Sequence, residues 1–154
     1  MPLAVEFYNV VVWLHITAFL IAFGPTYGYG LFMAAAAKAG PGAVVEGVRA
    51  MMNWGRVGIT SGGVVLLITG NYLAADGPYE FSDFFTAWGN LAVLFLLGMS
   101  HAYFTPRDRR VIELIESDQG EEAQALGQRT SKVGALMGVV VILTIYVMTA
   151  KPFL

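Results

Sequence analysis

VVVWLHITAFLIAFG, residues 10–24, is a run of fifteen residues in which His15 is the one titratable side chain. No charged residue occurs between Tyr8 and Ala34. A crossing of a hydrocarbon core ~30 Å thick takes about 20 helical residues, so the stretch near 8–34 reads as a membrane-spanning helix. Outward from it, three more apolar stretches near 57–75, 84–105 and 133–150 meet the same length criterion. The rest of the composition agrees. Of 154 residues, 56% are hydrophobic and 13% charged, and the mean hydropathy is +0.63, too apolar to solvate a globular surface. The expectation is an all-α, polytopic membrane protein, a single domain over 1–154. Its four-transmembrane-helix bundle carries a helical cytoplasmic connection at 106–132.

Basic residues beside spans are retained in the cytoplasm. Lys38, Arg49 and Arg56 follow the first span, Arg107, Arg109, Arg110, Arg129 and Lys132 follow the third, and the opposite side holds only Lys151. That distribution predicts the inner (plasma) membrane with both termini outside. The N-terminus lacks a basic n-region and a small-residue cleavage site, so no removable signal peptide is expected. The net charge of −2 leaves no nucleic-acid footprint. The absence of cysteine excludes disulfides, thiolate nucleophiles and iron–sulfur ligation.

Along the chain, GPTYGYG at 24–30 predicts a kink at Pro25, either a packing joint or a cavity lined by Thr26, Tyr27 and Tyr29. AGPG at 39–42 breaks the helix, and residues 44–54 form a short amphipathic stretch anchored at the interface by Trp54 and Arg56. DGPYEFSD at 76–83 is a tight outer turn in which Ser82 or Asp83 caps the third span. That span holds Asn90 and His101 and is expected to stop at Pro106. RDRR at 107–110 reads as a basic anchor, and Asp118 to Glu121 as a capping box starting the second of two short cytosolic helices. G-x-x-x-G occurs at Gly24–Gly28, Gly58–Gly62 and Gly134–Gly138, spacings that let helices approach closely within the chain or in an oligomer.

Depths counted along the spans place His15, Asn71, Asn90 and Tyr146 in the outer half, and His101, Thr60, Ser61, Tyr27 and Tyr29 in the inner half. A neutral imidazole ligates metals and haem, and an ionisable group in a span needs a reason to be there. His15 and His101 are therefore the candidate metal ligands, of a haem b, with Asn90, Tyr27 and Tyr29 shaping the pocket. Their depths differ by roughly 10–15 Å, which opposes both ligating one iron and leaves one haem per histidine or a five-coordinate haem. The other reading makes each histidine a hydrogen-bonded packing residue, His15 with Asn71 or Asn90, and His101 with a serine, tyrosine or carbonyl. The seven methionines form no M-x-x-M array, so a copper carrier lacks support. No Ser–His–acid set, P-loop, H-E-x-x-H or midplane carboxylate is present, so no catalytic constellation is complete. An apolar or quinone site beside the kink stays open.

Trp13-Leu14-His15 through Phe23-Gly24-Pro25-Thr26 resembles the first helix of a group of small bacterial membrane proteins. The group comprises an uncharacterised four-helix integral-membrane family, the copper-resistance D proteins and the membrane protoporphyrinogen oxidases. The resemblance covers about 40 residues and implies a four-helix core with histidines early in helix one and late in helix three, here His15 and His101. The oxidases carry a lysine eleven residues before the second histidine. This chain has Asn90 there, so the resemblance leaves haem binding open and does not carry protoporphyrinogen oxidation.

Two functions follow as expectations. The first is a small non-catalytic subunit embedded in the lipid bilayer, packing against partner subunits of a larger, respiratory-type assembly or against copies of itself. The second is a haem-b-binding redox protein, oxidoreductase-like by resemblance alone.

Overall fold

The computed structural model describes the backbone of residues 2–152, with side chains from Phe7 onward. Helix α1 spans Pro2–Ala39, α2 Pro41–Trp54, α3 Thr60–Asp76, α4 Phe84–Gly98, α5 Thr105–Glu116 and α6 Gly120–Ala150. One π-helical turn, π1 (Gly55–Ile59), joins α2 to α3, and a second, π2 (Met99–Phe104), joins α4 to α5. The chain is thus an all-α bundle of four long rods, each long and apolar enough to cross a membrane.

Gly40 makes the first reversal. Its φ of +116° suits a residue without Cβ, and Pro41 follows at the start of α2, where a missing N–H costs nothing. The third reversal takes only three residues, Ser117 to Gln119. Asp118 adopts φ 60° there, while the Gln119 N–H bonds the Leu114 carbonyl (2.8 Å) and the Asp118 N–H that of Ile115 (3.2 Å). This is a Schellman closure of α5. Asp118 is therefore spent ending one helix, and the capping box expected to begin the next does not form. α6 is also one continuous helix, so the connection expected at 106–132 is divided between two rods.

Pro106 does not stop its helix. A proline inside a helix displaces the carbonyl four residues back, and the widened turn of π2 immediately precedes it. A π turn carries one extra residue and leaves a carbonyl short of its usual partner. Threonine hydroxyls fill both gaps, from Thr105 to Ser100 O (2.9 Å) and from Thr60 to Gly55 O (3.1 Å). The two π turns lie side by side, with a Cβ at Gly55 falling 3.2 Å from Ser100 Oγ. α1 likewise runs through Pro25 as one helix, where the Thr26 hydroxyl bonds the Phe23 carbonyl.

α3 packs between α1 and α4, and α6 closes the ring against α4 and α1. The core of this floor is Ala18, Ala22, Phe23, Ile59, Leu66, Leu96 and Val141. Gly62 sets the spacing, since a Cβ there would lie 2.7 Å from Ala22 Cβ and 3.0 Å from the Ala18 carbonyl. Below it, α2, α5 and the start of α6 form a second floor around Val45, Val48, Val111, Leu114 and Ala123. With rods of 31 to 38 residues, about 46–57 Å at 1.5 Å per residue, the bundle is longer than a ~30 Å hydrocarbon core. The excess forms a helical stub at the basic end.

At the opposite end, Asp83 occupies the cap position of α4, but its carboxylate accepts the Glu80 N–H (2.8 Å) rather than a helical one. The Lys151 ammonium bonds the Tyr79 hydroxyl and sits 4.0 Å from the Tyr79 ring centroid, tying the end of α6 to this turn.

Candidate functional site

Polar side chains within lipid-crossing helices must find partners there, because water is not at hand. The first and third rods meet such partners on α3 of the second. His15 of α1 places Nδ1 2.8 Å from Thr69 Oγ1, and the Thr69 hydroxyl lies 2.6 Å from its own helix carbonyl at Val65. A hydroxyl has one proton. With that proton on the Val65 carbonyl, His15 Nδ1–H is the donor and Nε2 keeps its lone pair. Gly70 makes room for the ring, its absent Cβ position lying 3.1 Å from His15 Cε1.

His101 repeats the device in mirror form. Its Nε2 lies 2.8 Å from Thr60 Oγ1, whose proton goes to Gly55 O, so Nε2–H donates and Nδ1 is bare. The π turn makes this bond available by bringing a spare carbonyl to the Thr60 hydroxyl. Thr60 and Thr69 are nine residues apart on the unbroken α3, which is two and a half turns. They face opposite sides of the helix and differ by about 13 Å in height.

The structure therefore sets His15 and His101 on either side of α3. A metal–imidazole bond is about 2 Å long, and the described arrangement does not let the two rings share one iron. A haem held by both does not fit, and each histidine could offer a single nitrogen only. Among the described residues no group of three or more His, Asp or Glu converges as a metal cage.

The remaining candidates separate as well. Asn90 pairs with Asn71, Nδ2 of each donating to Oδ1 of the other (2.9 and 3.1 Å). Their second N–H groups reach Leu67 O and Thr86 O (2.7 and 3.1 Å), so all four amide hydrogens are used. The expected bond from His15 to an asparagine is thus corrected to Thr69, because the amides satisfy each other. Tyr27 faces α6 near Gly138, whereas Tyr29, 200° away round α1, lines a groove of about 250 Å³ with Pro25, Met33, Met51 and Trp54. They do not form one pocket. That volume falls below the 300–1,000 Å³ of drug-sized pockets, enough for a single ring but not for a macrocycle. Tyr146 is 61% exposed on the lipid-facing side.

Sequence reasoning missed three participants. Thr69 is the partner of His15, and Trp88 of α4 donates from Nε1 to Thr144 of α6 (3.1 Å), whose own proton goes to Val140 O. The one signal in reach was Thr69-Gly70, a hydroxyl beside a residue too small to block a neighbouring ring.

Comparison with protein-family models, with curated proteins and with solved structures gave no match for this chain.

Proposed function

We propose that the protein is a small non-catalytic integral-membrane subunit, with its basic end in the cytoplasm and both termini outside. The observation that carries this reading is the use of its intramembrane polar groups. His15, His101, Asn71, Asn90 and Trp88 each bond a side chain of a neighbouring rod, which is the chemistry of helix assembly. A partner in the bilayer would find free surface on α1. Gly24 has nothing within 4 Å of a Cβ, and Gly28 meets only Phe32 of its own helix, so that G-x-x-x-G pair is left unused inside the chain.

One observation favours a second reading, the haem-b redox protein that the resemblance implies. Hydrogen bonding through Nδ1 leaves His15 Nε2 with the lone pair that ligates iron, as second-shell bonding does in metal sites. His15 would be the residue to hold a haem, which would supply one-electron redox chemistry.

A reduced-minus-oxidised absorption spectrum of the detergent-purified chain, expressed with ample haem, separates the two. The subunit reading expects no Soret band and copurification of a membrane partner. A Soret band abolished in His15→Ala overturns it in favour of haem.

A further inference from the structure

The groove between α1 and α2 exists because a residue without a side chain faces a long one. A Cβ built on Gly47 of α2 would lie 3.0 Å from Met33 Sδ of α1. Around that point about 250 Å³ stays free among Tyr29, Met33, Met51 and Trp54. Phe32, 72% exposed, stands at the lip, so the groove opens to the outside of the bundle. Its walls are aromatic rings and thioethers, polarisable surfaces that suit a ring and, beside it, a cation.

Tyr29 connects this groove to a charge. Its side chain lines the groove, and the Asp108 carboxylate of α5 is close enough for its charge to act on the Tyr29 hydroxyl. Both residues are half-buried. Among the described residues neither side chain has a hydrogen bond or an ion pair. The neighbouring bases are committed elsewhere, Arg107 lying 3.6 Å over the Tyr103 ring and Arg110 bonding Glu113. Asp108 sits in the first turn of α5, but the helical backbone of π2 runs straight into that turn, so no free helix N-terminus compensates the charge. A carboxylate drawn out of water without a partner is costly. A cation that donates to it restores what the water supplied.

We propose that the groove binds an arylalkylammonium ion, a single aromatic ring on a short chain that ends in a protonated amine. The ring lies among Phe32, Met33, Met51 and Trp54, and the ammonium donates to the Asp108 carboxylate and the Tyr29 hydroxyl. Size and charge both select this class. The volume admits one ring, an inorganic cation would leave the apolar walls unused, and a neutral ring would leave Asp108 unpaired. The proposal is independent of the subunit and haem readings.

The test is equilibrium dialysis of radiolabelled phenethylammonium against the full chain in detergent micelles, with empty micelles subtracted. A hydrogen bond to a charged group contributes roughly 10- to 100-fold in affinity, so Asp108→Asn should weaken binding by that factor. Gly47→Leu fills the groove from α2 without touching Asp108 and should abolish binding, which keeps the test open if Asp108→Asn misfolds. Glu113→Gln removes equal charge from the same helix, where the carboxylate is already paired with Arg110, and should bind like the wild type. On the wild type, phenethyl alcohol, which keeps the ring and loses the charge, and duroquinone, a neutral quinone ring, should each compete more weakly than unlabelled phenethylammonium by the same factor as Asp108→Asn costs. Absence of binding to the wild type overturns the proposal, and so does unchanged binding in Asp108→Asn or Gly47→Leu. An equal loss in Glu113→Gln would reveal a diffuse acidic surface and overturn it too. Competition by either neutral ring as strong as by the ammonium overturns it in favour of a neutral ligand.

Discussion

Threonine hydroxyls do the linking in this bundle, because one donor proton and two lone pairs let each satisfy its own helix and accept from a neighbour at once. Thr69→Val keeps the shape and removes the acceptor for His15. Interhelical hydrogen bonds in bilayers average about 0.6 and reach about 1.7 kcal/mol, so Thr69→Val should destabilise the bundle within that range, as measured by reversible unfolding in mixed micelles. Thr69→Ser should restore most of the loss, and equal stability of Thr69→Val and wild type would show that the bond contributes nothing. Gly70→Ala brings a methyl to 3.1 Å from His15 Cε1. Its effect should be non-additive with Thr69→Val, since both act on one contact. The histidines were legible in the sequence as titratable groups in apolar spans. Their partners were not, because a lone threonine in a span looks the same whether it bonds only its own helix or a residue 54 positions away.

At the scale of elements, the three G-x-x-x-G pairs are alike in sequence and unlike in use. Gly62→Ala would press a methyl onto the Ala22 Cβ and the Ala18 backbone carbonyl, neither of which can swing aside, so α1 and α3 must separate. That should cost about 1–3 kcal/mol. Gly24→Ala, with open space around it, should be neutral or stabilise by up to ~1 kcal/mol through helix propensity alone. Thermal unfolding of the two variants side by side checks the contrast, and equal loss in both would mean that Gly62 does not set the α1–α3 distance. The spans themselves were legible because about 20 apolar residues leave few alternatives in lipid. The π turns were not, since one extra residue in a turn has no compositional mark. With π2 unseen, Pro106 read as a stop, and with the Schellman closure unseen, Asp118 read as the start of the next helix.

For the whole molecule, the rods are longer than a ~30 Å hydrocarbon core, and the proposed topology sets their basic end in the cytoplasm. The absence of native cysteine makes orientation directly measurable. On intact cells, a membrane-impermeant maleimide should label Ser82→Cys, and should label Ser117→Cys only after permeabilisation; the reverse pattern would invert the proposed topology. The separation of 54 residues between His15 and Thr69 has a further consequence during synthesis. At about 5–20 residues per second, roughly 3–10 s pass between the making of the imidazole and of the hydroxyl that receives it. The newborn first span spends that interval with a polar ring and no partner, and α3 supplies one when it arrives. The bundle is thus completed by a later helix returning to an earlier one, so a pause or truncation between them leaves α1 as the species most exposed to membrane quality control.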